Sequence, residues 1–238
     1  EVKNLTKNGV FKDISFNLHK GEILGFFGLV GSKRTDVMRS IFGADKINNG
    51  IIHIHGKEVS IKNPQQAVEN NLALIPEDRK KQGFVKELNN AENIALSCLK
   101  KFTKYGFIDH RKKVENSEHF LEEMNLNPKN PYYKTFKLSG GNQQKVVIAK
   151  WRSTEAEILI LDEPTKGVDV GAKAEIYRLL EELVAQGKSI LMVSSELPEI
   201  IGMSDRVIIM NEGKKQKELD YTEFTEERIL NYAIGGSK

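Results

Sequence analysis

LSGGNQQKVVIAKWRSTEAEILILDEPTKGVD, residues 138–169, is the stretch whose reading decides the fold. Ser139 stands where a helix N-cap belongs, with Gly140 and Gly141 in the first turn. Without a Cβ to cover them, the backbone N–H groups there are open, and the helix dipole makes that end positive, so it suits an anion. Ser-Gly-Gly alone occurs in many loops; the continuation changes its weight. Ile158-Leu159-Ile160-Leu161 is an unbroken apolar run of the kind needed by a strand buried on both faces. It delivers Asp162 and Glu163 at its C-terminal end, where ligands of open α/β sheets bind. Asp162 is placed to hold Mg²⁺, directly or through water, and Glu163 to act on an attacking water. An acidic pair is usually a surface feature, but this one follows four aliphatics and precedes Pro164-Thr165 and Asp169.

Toward the N-terminus, Ile23-Leu24-Gly25-Phe26-Phe27 reads as another buried strand, followed by Gly28-Leu29-Val30-Gly31-Ser32-Lys33-Arg34-Thr35. This is an altered phosphate loop. The usual spacing is Gly, four residues, Gly-Lys, then Ser or Thr. Lys33 stands at the second Gly and Arg34 at the Lys, while the Thr that would meet Mg²⁺, Thr35, remains. Lys33 puts a side chain where bare backbone should approach phosphate, and Arg34 carries its charge as a planar fork, not a compact ammonium. Gly28, Gly31, Ser32, Lys33, Arg34 and Thr35 are the candidate phosphate-binding residues, with weakened binding expected. A shorter loop using Lys33 as the lysine would lose the hydroxyl register.

Elsewhere, residues 14–18 and 51–55 alternate like half-buried strands, and Leu72 to Ile75 and Ile190 to Val193 read as buried ones. Arg206 to Met210 reads as the last central strand. Asn63-Pro64 opens a helix through Glu69. Helical patterns cover 89–99 and 112–124, with polar turns at 103–106 and 127–131. Phe120, Leu121 and Met124 share a face and read as core. Ile176, Leu179, Leu180, Leu183 and Val184 form one stripe of a helix that Gly187 ends, and 222–234 closes the chain as a helix. His53 and His55 fall on one strand face with no third ligand evident, so exposed histidines are expected. This alternation of strands and helices predicts an α/β fold: a mostly parallel sheet with helices on both faces.

A chain of 238 residues is ample for a large core. Its net charge of +3 implies no strongly charged partner, and Arg79-Lys80-Lys81 is too short a basic run to mark a nucleic-acid binder, reading instead as a solvated loop. Cys98, the single cysteine, excludes an internal disulfide and reads as a core thiol in a reducing compartment. No apolar run approaches the ~20 residues of a membrane helix. A soluble cytoplasmic domain is expected, and Glu1 in place of Met suggests a chain cut from a longer one, with removal of a tag as the alternative.

LSGGNQQ resembles the signature motif of ATP-binding cassette (ABC) ATPases, ILILDEP their Walker B strand, and Asp169 the Asp of their D-loop. The likeness runs over nearly the whole chain. It implies a P-loop NTPase-like core with an antiparallel β subdomain (1–85 and 138–238) and an inserted helical subdomain (86–137). It implies ATP and Mg²⁺ as ligands, with Thr35 and Asp162 on the metal and Glu163 catalytic. Glu77 matches the position of the Q-loop Gln, and an ordinary solvated loop acid is the equal alternative. Ser195 matches a position that commonly holds a His contacting the γ-phosphate, a charge that Ser cannot supply. No aromatic occupies the expected adenine-stacking position near residues 6–9.

The damage is uneven. Ser139, Gly140, Gly141 and Gln143 keep the signature, which in such dimers closes over nucleotide held by the opposite domain. The phosphate-loop, Q-loop and His positions, which serve the domain's own nucleotide, are altered, while Asp162 and Glu163 are intact, so the asymmetry is incomplete. GLVGSKRTD, PEDRKKQG, LSGGNQQKV, TKGVDVGAK and VSSELPE resemble the C-terminal nucleotide-binding domain of bacterial sugar importers of the ribose, galactose and xylose type. The expected partners are a second ABC domain fused upstream, transmembrane permease subunits and, indirectly, a periplasmic or lipid-anchored sugar-binding protein, but no nucleic acid. The expected location is the cytoplasmic face of the membrane. Two alternatives are a regulatory module that binds ATP without cleaving it, which the intact Glu163 opposes, and a soluble ABC protein acting on ribosomes or DNA, which would need a basic arm or long coiled coils.

Overall fold

A computed structural model of the chain describes residues 1–236. In chain order its strands and helices are β1 (Val2–Lys7), β2 (Phe11–Phe16), β3 (Ile23–Phe27), α1 (Arg34–Ile41), β4 (Asn49–Ile54), β5 (Lys57–Val59), α2 (Pro64–Glu69) and β6 (Leu72–Ile75). Next come α3 (Asn90–Ala95), β7 (Thr103–Lys104), β8 (Phe107–Ile108), α4 (His110–Glu123), α5 (Gly140–Arg152) and β9 (Ile158–Asp162). The last are α6 (Val170–Ala185), β10 (Ser189–Val193), α7 (Leu197–Met203), β11 (Arg206–Asn211), β12 (Lys214–Asp220) and α8 (Glu226–Ala233). No helix among the described residues is long and apolar enough to cross a membrane.

The chain forms two compact units. One comprises Glu1–Leu74, Glu157–Glu163 and Leu183–Lys238. It holds a six-stranded sheet in the order β12-β11-β3-β10-β9-β6 and a four-stranded sheet in the order β2-β1-β4-β5. Strands β11, β3, β10 and β9 run parallel to one another. All five residues of β3 and of β10 are buried, the continuous apolar runs that a doubly covered parallel strand requires. Register then fixes the site: Val193 at the end of β10 lies level with Phe26 on one side and Asp162 on the other. The loops leaving β3, β9 and β10 therefore emerge along one sheet edge, at their C-terminal ends.

The antiparallel sheet buries Leu5, Ile14 and Ile52, and register shifts along β1 break a strict alternation of burial. Phe16 from β2 meets Phe26 from β3 edge-on, ring centroids 5.1 Å apart. The expected closing helix is shorter than 222–234. Ahead of that helix, residues 214–220 form β12, an antiparallel partner of β11 at the edge of the sheet. Its sequence KKQKELD is polar because an edge strand with exposed side chains needs no apolar run.

The other unit comprises Ile75–Ala156 and Pro164–Glu182. Its helices α3, α4 and α5 pack on one another around Ala91, Ile94, Phe120, Leu121, Met124, Val146 and Ile148. Helix α3 ends earlier than the pattern 89–99 suggests: the chain tightens into a 3-10 turn from Leu96 to Phe102, broken at Cys98. Helix α4 starts at His110, because the Asp109 carboxylate accepts from the Lys112 N–H at 3.1 Å and caps it. Between them, the stretch expected as a polar turn at 103–106 is a two-stranded hairpin, β7 paired with β8.

Candidate functional site

Gly28 to Lys33 link β3 to α1. A Cβ on Gly28 would lie 2.3 Å from the Met210 carbonyl oxygen and 2.8 Å from Ser32 Oγ, so only glycine fits. Ser32 turns its side chain inward, 3% exposed. Lys33 takes φ 73°, the left-handed region that favours glycine, and thus sits strained where the usual loop has Gly. Its side chain is exposed.

Arg34 departs furthest from a phosphate-facing lysine. Its side chain is buried, with Nη1 donating to the Ser194 carbonyl at 2.5 Å and Nη2 lying 3.9 Å from Glu163 Oε1. The other oxygen, Glu163 Oε2, accepts from the Ser195 N–H at 3.1 Å and from Ser195 Oγ at 3.0 Å. Glu163 is itself left-handed, at φ 51°, and its N–H donates to the Val193 carbonyl at 2.8 Å, which fixes the residue beyond the end of β9. Arg34, Glu163 and Ser195 are thus brought together, with Glu163 held between the other two.

Thr35 and Asp162 also converge. Thr35 Oγ1 donates to Asp162 Oδ1 at 3.1 Å, and Asp162 is 3% exposed. A hydroxyl and a carboxylate at this separation are hard oxygen donors that fit Mg²⁺, which takes one or two protein ligands and completes its shell with water and phosphate. No cluster of three or more His, Cys, Asp or Glu among the described residues could hold a metal by itself. His55 pairs with Glu157 at 2.8 Å instead, and His53 faces Glu1.

In the second unit, Ser139 caps α5, its Oγ accepting from the Asn142 N–H at 3.4 Å. The glycines beside it are there for close packing as well as for open N–H groups. A Cβ on Gly140 would lie 2.8 Å from Arg79 Nη2 and from the Gly167 oxygen, and one on Gly141 would lie 2.5 Å from Ala172 Cβ. Gln143 points inward, 5% exposed, and donates to the carbonyls of Phe136 and Leu138 at 3.1 and 3.0 Å. It braces the loop before the helix. Asp169 accepts from the Ala172 N–H at 3.0 Å at the start of α6. Glu77 pairs with Lys166 at 2.5 Å on the surface.

The reading of Arg79 as part of a solvated loop is wrong. Arg79 is 8% exposed; it donates through Nη1 to the Lys166 carbonyl and through Nη2 to the Gly167 carbonyl at 2.8 Å. Burial pushes its pKa down from the ordinary arginine value. Sequence reasoning passed it over because its acceptors lie 87 and 88 residues away. Cys98 is buried as expected, with Sγ 2.9 Å from Ser153 Oγ.

The ABC transporter family model matches residues 11–166. The chain is 49% identical over 236 residues to the ribose import ATP-binding protein RbsA of Bacillus subtilis, covering 99% of this chain and 48% of that protein. It is 47% identical to a putative ribose/galactose/methyl galactoside import ATP-binding protein of Geobacillus kaustophilus, covering 98% of this chain and 46% of that one. The chain thus spans about half the length of these relatives. In fold it matches a nucleotide-free ATP-binding cassette from an ABC transporter with a TM-score of 0.81 at 22% identity, covering 97% of this chain and 93% of the other. A dimeric cassette in a post-hydrolysis state, bound to ADP and Pi, gives 0.78 at 22% identity, covering 94% and 99%. With the phosphate loop, the paired Thr35 and Asp162, the capped Ser-Gly-Gly helix and these likenesses together, the chain belongs to the ABC transporter family.

Proposed function

We propose that the chain is the weaker of two nucleotide-binding domains of an ATP-driven sugar importer. It completes a competent ATP site on its partner with Ser139, Gly140 and Gly141, while hydrolysing slowly at its own site. The observation that carries this reading is the engagement of Glu163 by Arg34 and Ser195. A base that must take a proton from an attacking water needs a free oxygen, and here one oxygen faces a guanidinium while the other already accepts two hydrogen bonds. The cation that would otherwise face a γ-phosphate is turned onto the Ser194 carbonyl.

On this reading the first-turn N–H groups of α1 hold the phosphates of ATP, and Thr35 and Asp162 hold Mg²⁺. Held by Thr35 and Asp162, Mg²⁺ would offset the negative charge that develops on the phosphates. The Ser139 hydroxyl and the open N–H groups at the start of α5 face the partner's triphosphate, and residues 86–137 form the helical subdomain that carries them there. The partner domain is fused upstream in the full polypeptide, and Glu77 lies at the junction that senses the permease. The complex sits on the cytoplasmic face of the membrane, served indirectly by a sugar-binding protein.

The test is ATP turnover by the chain alone and after mixing with an intact N-terminal domain of an RbsA-type protein. Slow turnover alone, stimulation on mixing, and loss of stimulation with Ser139→Ala are expected. Brisk turnover by the chain alone that Arg34→Ala abolishes would overturn the reading.

A further inference from the structure

The hairpin of β7 and β8 lies outside the residues assigned above to nucleotide. Tyr105 and Gly106 form its two-residue turn at φ 52° and 84°, the pair of positive values that a type I′ turn needs. Its base is anchored by buried Phe102, which packs with Ala95, Cys98 and Leu99, and the Asp109 N–H donates to the Phe102 carbonyl at 2.7 Å. Beyond that base no other described residue shields the tip. Tyr105 is 89% exposed, Phe107 80% and Ile108 41%. Lys104 pairs across the strands with Phe107, and its ammonium lies 5.4 Å from the Tyr105 ring centroid.

The flanks are basic. Residues 100–113 contain Lys100, Lys101, Lys104, Arg111, Lys112 and Lys113 against a single acid, Asp109. Lys101, Arg111 and Lys112 pair at the surface with Glu155, Glu115 and Asp109, where salt screens such pairs. Lys104 and Lys113 meet no carboxylate among the described residues.

We propose that this hairpin is a membrane-surface anchor, its Tyr105 and Phe107 rings entering the headgroup region while the lysines meet anionic phosphates. The inference rests on the reading of the chain as a peripheral membrane protein. Aromatic rings with a polar rim favour the water–lipid boundary, and clustered Lys and Arg favour anionic lipid. A partner protein fits less well: a two-residue tip offers far less than the roughly 800 Å² per partner of a stable protein interface.

The experiment is co-sedimentation of the chain with vesicles of equal parts phosphatidylglycerol and phosphatidylcholine, and with vesicles of phosphatidylcholine alone. The chain is expected to bind the anionic vesicles, with binding lost at high salt. Tyr105→Ser/Phe107→Ser is expected to weaken binding about tenfold, as is Lys104→Glu/Lys113→Glu. The melting temperature of the aromatic variant should not change, because both rings are already in water. Equal binding by variant and parent, equal binding to neutral vesicles, or no binding would overturn the anchor. So would a variant that binds vesicles normally but fails to associate with the permease, since the hairpin would then be a protein contact. ATP turnover on mixing reports separately on the proposed function: a parent chain that is stimulated on mixing yet binds no anionic vesicles sinks the anchor alone.

Discussion

Arg34 and Ser194, 160 residues apart in the chain, are joined by a hydrogen bond from the guanidinium to a backbone carbonyl. The bond draws the loop's cation toward the end of β10, and its second nitrogen comes within 3.9 Å of Glu163. A lysine has no fork with which to hold the carbonyl and approach the carboxylate through separate nitrogens.

Restoring the usual loop should therefore restore binding. Lys33→Gly/Arg34→Lys is expected to tighten ATP binding at least about tenfold, or ~1.4 kcal/mol, by titration calorimetry. Glycine at φ 73° should also relieve about 1 kcal/mol of backbone strain, visible as a higher melting temperature. Unchanged affinity would show that the guanidinium is not what limits binding.

Arg79 holds Lys166 and Gly167 by their carbonyls, beside Gly140. Arg79→Ala would leave two carbonyls without their charged donor. A loss of about 2–3 kcal/mol in a denaturant titration is expected. Arg79→Lys should recover only part of it, because one ammonium cannot reproduce the planar two-pronged contact. Full recovery with lysine would argue against that geometry.

Lys150 lies in α5, 7% exposed, with Nζ donating to the Gly83 carbonyl at 2.5 Å and lying 5.1 Å from the Trp151 ring centroid. Burial pushes its pKa down from 10.5 to about 8. Below about 8 the ammonium is charged in both folded and unfolded chains, and the cost of burying the charge is felt in full. Between about 8 and 10.5 the unfolded chain holds the proton that the folded one releases, so this group's contribution to stability rises with pH. The slope is up to about 1.4 kcal/mol per pH unit. Unfolding free energies measured across that window should rise more steeply for the parent chain than for Lys150→Met. Parallel curves would contradict the assignment.

The parallel strands were legible because a strand covered on both faces must be apolar throughout, as Ile158 to Leu161 and Ile190 to Val193 are. The cap at Ser139 was legible for a similar reason: a helix start needs a short polar acceptor, and that is a local demand. Strand β12 was not, since an edge strand carries polar side chains like any loop. Nor was the hairpin at 103–108, whose exposed rings follow no burial pattern.

By itself, then, the sequence determined the α/β class, the glycine-bearing loop after β3 with its two departures from the usual spacing, and the acidic pair at the end of β9. These are set by neighbours within a few residues, through backbone conformation and periodicity. What only the tertiary structure decided is where the long cations go. Arg34 and Arg79 each carry a guanidinium on a flexible stem that solvent or a distant acceptor could equally satisfy. Folding supplied carbonyls 160, 87 and 88 positions away, and burying the stems beside them turned two ordinary-looking basic residues into fixed parts of the architecture.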